Sequence, residues 1–194
     1  MGRNKGFDKA QVLEKAMEVF WTQGYHATSI QSLVDHLGVN RASLYATFDC
    51  KELLFQQAFE LYQQQNVDQL PTILVKHEDV VEGFRSLFSM VIDDIITDPQ
   101  HKGCFVVNVT TELSNADEVI RGLLQENASK VEAHFTTYIE RGKQNGSVTS
   151  TVPAATLAHL ILTYFNGLRV VGKTAEEAMP LRAGLEAFLG ILRS

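Results

Sequence analysis

Apolar residues recur along this chain at intervals of three and four, and no stretch shows the alternation of a half-buried strand, so the pattern predicts an all-α fold. Asp8 stands where an N-cap belongs, ahead of Leu13, Ala16, Met17 and Phe20, which gives a first helix over about Asp8 to Gln23 that Gly24 ends. Ile30, Leu33, Val34 and Leu37 form the stripe of a second helix that opens at Thr28 or Ser29 and stops at Gly38. After Gly38-Val39-Asn40 the helical pattern resumes with Leu44 and Phe48. A longer helix is predicted from about Cys50 to Gln65, with Pro71 marking a break near its end, and the polar run Gln63 to Gln65 covering an exposed face. Further helices are predicted over 78–97, 104–113, 116–145, 153–173 and 176–193, separated by Asp98-Pro99, Ser114-Asn115, Asn145-Gly146-Ser147 and Gly172-Lys173.

Two short helices joined by a three-residue turn containing glycine have the spacing of a helix-turn-helix. Leu33, Val34, Leu37, Val39, Leu44 and Phe48 supply the buried seam, leaving Arg41, Ser43, Tyr45 and Thr47 to face outward. Arg41 can fork onto the O6 and N7 acceptors of guanine, a contact that discriminates by about 1–3 kcal/mol. Ser43 and Thr47 can bond bases or phosphates, and Tyr45 suits a phosphate contact that fixes register. Lys51 adds charge beside a positive helix end, where Thr28 and Ser29 offer hydroxyls and free backbone N–H groups. The alternative is a plain αα-corner in which Tyr45 is a surface aromatic and Arg41 a solvated charge.

Charge neither demands nor forbids a nucleic-acid partner. The net charge is -6, yet residues 1–54 carry six basic and six acidic side chains, so the acidity belongs to the remainder. The two cysteines, Cys50 and Cys104, fit neither a disulfide framework nor a zinc site, which points to a reducing, cytoplasmic setting. No signal peptide or membrane-length apolar run is legible, so the chain reads as soluble and unanchored. Enzyme chemistry is disfavoured: His77-Glu78 lacks the second histidine of a zinc-protease helix, and no glycine-rich phosphate loop occurs. Neither cofactor nor metal is expected.

The segments Gly24-Tyr25-His26-Ala27-Thr28-Ser29-Ile30, Leu37-Gly38-Val39, Ser43-Leu44-Tyr45 and Phe48-Asp49-Cys50-Lys51-Glu52-Leu53-Leu54 resemble the N-terminal signature of the TetR family of transcriptional regulators. The resemblance covers about a quarter of the chain. It implies a three-helix DNA-binding domain over 1–54, a fourth helix from about residue 50 that links it to a ligand-sensing and dimerising domain over 55–194, and a homodimer formed mainly by the last two helices. It also implies DNA contacts at Thr28, Ser29, Gln31, Arg41, Ala42, Ser43, Tyr45, Thr47 and Lys51. Two positions depart from the family pattern: Ala46 stands where many members carry a larger aromatic or histidine, and Cys50 replaces a small polar residue before the lysine.

Beyond Phe55 no motif announces a compound. Phe84, Phe88, Val91 and Ile92 make an apolar stripe, and Phe135, Tyr138, Tyr164 and Phe165 are aromatics on later helices. Such residues serve an ordinary core, or line an apolar pocket with polar handles at Asn108, Tyr138, Tyr164 or Arg169. Candidate ligand contacts are therefore Phe88, Ile92, Cys104, Asn108, Phe135, Tyr138, Tyr164 and Arg169. Cys104 is either a small buried hydrophobe or a reactive sensor, since a helix N-terminus, Lys102 and His101 would place positive potential beside its sulfur. The segment Gly103-Cys104-Phe105-Val106-Val107-Asn108 also resembles the start of the sixth helix in many family members. Leu157, Leu160, Ile161, Tyr164, Leu168 and Val171 give one stripe for dimerisation, and Leu181, Leu185, Phe188, Leu189 and Leu192 another, the alternative being a tightly packed intramolecular pair. The expected partners are a palindromic double-stranded DNA operator, a second copy of the chain, and either a small-molecule inducer or a protein partner.

Overall fold

The computed structural model describes residues 7–115 and 117–194, and among them every regular element is helical. The helices are α1 (Lys9–Gln23), α2 (Ile30–Leu37), α3 (Arg41–Phe48), α4 (Lys51–Leu74), α5 (Val80–Thr97), α6 (Phe105–Leu113), α7 (Glu118–Asn145), α8 (Ala154–Val171) and α9 (Ala178–Leu189), with 3-10 turns at Gly172–Thr174 and Gly190–Leu192. Side-chain caps start five of them. Asp8, Ser29, Asn40, Asp79 and Asp117 each accept backbone N–H groups of the first turn that have no intrahelical partner. The predicted start of α7 at Ala116 lies outside the described residues.

Two expectations on α4 are corrected. The helix does not end near Gln65 but continues through Pro71 to Leu74. Val67, Leu70 and Leu74 bury against the C-terminal core, and that packing outweighs the hydrogen bond that proline cannot donate. Gln64 and Gln65 are exposed as expected, but Gln63 is buried, and its Nε2 donates to the Leu123 carbonyl of α7 at 3.2 Å.

The buried side chains form two clusters, and α4 belongs to both. Its first half, Leu54 to Tyr62, joins α1–α3 together with Phe105, Val109 and Leu113 of α6 and Ile120 of α7. Its second half joins α5, α7, α8 and α9 around Phe84, Phe88, Phe135 and Ile161. Helix α8 lies along α7 and α9 along α5. This packing turns Leu157, Ile161, Leu168, Leu185, Leu189 and Leu192 inward, so most of the two stripes read as dimer surface serves the protomer's own core. Leu160, Val170, Val171 and Met179 remain exposed.

Candidate nucleic-acid interface and sensor cavity

The turn between α2 and α3 depends on Gly38, which takes the left-handed conformation (φ 66°) that side-chain-bearing residues disfavour, and on Asn40, whose side chain accepts the Ser43 N–H at 2.8 Å. Burial of Leu33, Leu37, Leu44 and Phe48 sets which face α3 presents. Arg41 and Ala42 are exposed, while Ser43, Tyr45 and Thr47 are half-buried. The Arg41 guanidinium lies 5.5 Å from the centroid of the Tyr45 ring, so the two form one patch on adjacent turns. The Thr47 hydroxyl donates back to the Ser43 carbonyl at 3.0 Å. On α2, Ser29 is exposed and caps Ser32 N–H at 3.0 Å, and exposed Gln31 donates to Asp35 at 2.9 Å.

Thr28 is placed differently from expectation. It is 1% exposed, and its hydroxyl donates to the Gly24 carbonyl at 2.6 Å, closing the loop between α1 and α2. Its side chain supports that loop from within. Lys51 is not a free-reaching ammonium either: its Nζ donates to the Tyr25 carbonyl at 2.6 Å and stands 4.2 Å over the Tyr25 ring. Burial lowers the Lys51 pKa, against the nearby charges of Glu52 and Glu112.

Three residues that sequence reasoning missed organise this corner. Tyr25 donates its hydroxyl to Glu52 at 3.0 Å; burial and then that bond push its pKa up. A backbone hydrogen bond and then the Tyr25 hydroxyl hold the Glu52 carboxyl below the usual carboxylate range. Glu112, near the end of α6, reaches across to accept the backbone N–H groups of Tyr25 at 3.0 Å and His26 at 2.7 Å. A lone glutamate some 87 residues away carries no local signal of such a partner.

At the other end of α6, Cys104 is the N-cap residue and is buried, and its sulfur accepts the Tyr62 hydroxyl at 3.8 Å. The cations expected beside it are turned elsewhere. Lys102 pairs with Glu18 at 2.8 Å and lies 4.4 Å over the ring of Trp21, and His101 is exposed. The Trp21 indole donates to the Gly103 carbonyl at 3.0 Å, so the approach to Cys104 is tied to α1.

Cys104 lines a cavity of about 150 Å³ between α4, α5, α7 and α8, with Tyr62, Asn66, Val67, Val91, Val131, Phe135, Leu162, Phe165 and Arg169 among its walls. A more polar recess of about 330 Å³ adjoins it, sharing Tyr62, Asn66, Val91, Asp94 and Arg169. Of the residues anticipated from sequence, the cavity brings together Cys104, Phe135 and Arg169. The others lie elsewhere. Phe88 is packed among Tyr164, Phe165 and Phe188, and Ile92 is fully buried in the core. Tyr164 stacks on Phe188 with centroids 3.9 Å apart. Tyr138 donates to the His77 carbonyl at 3.3 Å, and Asn108 is held between the Lys102 carbonyl and the Lys173 ammonium. Tyr62 and Asn66, one helical turn apart on α4, were the missed handles.

Comparison with known proteins agrees with this architecture. Residues 12–69 match the family model described as bacterial regulatory proteins, tetR family, and residues 81–188 match that of the tetracyclin repressor-like C-terminal domain. The uncharacterized HTH-type transcriptional regulator YezE of Bacillus subtilis is 32% identical over 148 residues, 76% of each chain. The HTH-type transcriptional repressor ComR of Escherichia coli is 28% identical over 170 residues, 87% of this chain and 81% of that one. Among solved structures, a cysteine mutant of the TetR family transcriptional regulator CifR complexed with 26-bp double-strand operator DNA superposes with a TM-score of 0.85 at 28% identity, covering 98% of this chain and 100% of that one. The reduced form of E. coli NemR shares the fold, with a TM-score of 0.84 at 18% identity over 94% of this chain and 96% of that one.

Proposed function

Because the chain belongs to the TetR family of DNA-binding transcriptional regulators, we propose that it is a cytoplasmic repressor, released from a palindromic operator by a small-molecule inducer or by modification of Cys104. The observation that carries this reading is the course of α4. One half lies in the core that holds α2 and α3, and the other half walls the cavity that contains Cys104. A ligand filling the cavity acts on the same rigid element that positions the DNA-reading helices. Arg41 reads bases, Tyr45, Ser43 and Thr47 fix register, Ser29, Gln31 and Ala42 lie beside them, and Lys51 anchors a phosphate from its seat on Tyr25.

A homodimer is part of the proposal. Helix α8 and its 3-10 turn, Ala154–Thr174, are long and apolar enough by composition to cross a membrane, yet less than half of this stretch is buried within the protomer. The exposed apolar residues Leu160, Val170, Val171 and Met179 suit a second copy of this chain, whose two-fold axis would space the α3 helices for a palindrome. The cavity favours a small-molecule effector over a protein partner, for which a filled core would be the simpler arrangement.

The test is a protection assay on DNA flanking the protein's own gene, repeated with oxidants, aldehydes and small aromatic compounds. Protection of a palindrome, abolished by one class, is the expected result. A coupling of about 1–3 kcal/mol changes affinity 5- to 150-fold, and operator DNA must weaken the inducer by the same factor. A compound that binds free and operator-bound protein equally would falsify the inducer mechanism. Unchanged release in Cys104→Ser would remove the thiol from it.

A further inference from the structure

Resting on the reading of the cavity as the effector site, we propose that Arg169 forms an anion subsite within it, and that the cavity accepts small carboxylate monoanions with their charge on Arg169 and their body toward Cys104. Arg169 lines both the apolar cavity and the polar recess. Its Nε is fully buried without a hydrogen-bond partner, and among the described residues Arg169 has no ion pair. A buried donor left unpaired is costly, and a turn of the guanidinium that brings this edge to the cavity lets an oxygen acceptor remove the cost.

The orientation is set by Phe165, whose ring centroid lies 4.5 Å from the guanidinium carbon. Stacking occupies the face of the guanidinium and leaves its N–H edge for a planar, two-oxygen acceptor, the geometry carboxylates offer. The neighbouring charges limit the ligand to one negative charge. Lys102 and Lys173 line the recess, but so do Asp94 and Asp98. The Asp98 carboxylate is occupied by the backbone N–H groups of Gln100 and Lys102 at 3.0 and 2.6 Å. Asp94, exposed at the shared wall, repels a dianion such as phosphate. With about 150 Å³ in the apolar part, the body beyond the carboxylate is of benzene size or smaller. Tyr62 ties the parts together, walling both chambers with its hydroxyl on Cys104 Sγ.

Iodoacetate and iodoacetamide test this directly, since they differ in charge and little else. In both reactions the Cys104 sulfur forms a bond to the methylene carbon, the carbon–iodine bond breaks, iodide leaves, and the thiol proton passes to buffer. Rates are read from the mass of the Cys104 peptide in folded full-length protein. The iodoacetate to iodoacetamide ratio should exceed that of 2-mercaptoethanol by on the order of tenfold, the contribution of one charged hydrogen bond. It should fall to the 2-mercaptoethanol ratio in Arg169→Gln. Independently of any variant, added acetate should slow both reagents at Cys104 in the wild-type protein. A wild-type ratio equal to that of 2-mercaptoethanol, a preference that survives Arg169→Gln, or a Cys104 that neither reagent reaches would each overturn the subsite. Operator binding measured on the same samples separates the two readings. Selective alkylation without release of DNA retains the subsite and removes Cys104 from the switch.

Discussion

Replacing Glu112 by alanine should loosen the α1–α2 loop and, with it, the hold of α6 on the DNA-reading unit. The carboxylate accepts two backbone N–H groups, from Tyr25 at 3.0 Å and His26 at 2.7 Å. Hydrogen bonds to a charged group contribute roughly 1.5–3 kcal/mol each, and partial exposure of this glutamate cuts the pair to about 2 kcal/mol in total. For a chain of this length that amounts to a fall in Tm of roughly 4–8 °C. Glu112→Gln keeps one acceptor oxygen and should lose about half as much. Thermal unfolding measures the energy, and hydrogen exchange at the Tyr25 and His26 amides locates it. Unchanged protection at both amides, with a stability change under about 0.5 kcal/mol, would show that the two bonds do not clamp the loop.

Arg41→Ala should flatten discrimination between operator sequences by about 1–3 kcal/mol at one base pair, whereas Lys51→Ala should weaken all sites alike and shallow the salt slope by about one; identical behaviour in titrations across salt would refute the assigned roles. Gly172→Ala would place a methyl group 2.6 Å from Ile95 Cδ1 and should destabilise by about 1–3 kcal/mol in a urea melt. The Glu52 carboxyl is held below its usual range, so it adds stability that is complete above the unfolded value and lost as pH falls through the folded one. Glu52→Gln should therefore reduce the loss of stability below about pH 4.5, and an acid limb as steep as in the wild type would count against this.

The local part of the architecture was legible because its causes are local. Leu33, Leu37, Leu44 and Phe48 lie within one or two turns of each other, and Asp8, Ser29 and Asn40 sit beside the N–H groups they cap. Residues whose role depends on distant partners were not legible. Nothing near Thr28 says that its hydroxyl turns inward to Gly24, and nothing near Pro71 says that Val67, Leu70 and Leu74 keep the helix going. In the cavity, aromatic content drew attention to Phe88, Tyr138 and Tyr164, which pack in or against the core, while the polar wall came from Tyr62 and Asn66, which flank a run of three glutamines. Of the four polar handles named from the sequence, Arg169 alone lines the cavity.

The membership of the first hydrophobic cluster bears on how the protein is made. Tyr62 is the last of its N-terminal members, and the cluster is completed only by Phe105, Val109, Leu113 and Ile120. At roughly 5–20 residues per second, the ribosome delivers residue 120 about 3–12 s after residue 62. During that interval Phe55 and Phe59 lack the side chains of α6 that cover them. A chain cut short before α6 would thus leave this core open, so a prematurely terminated product should not survive as an operator-binding fragment deaf to its effector.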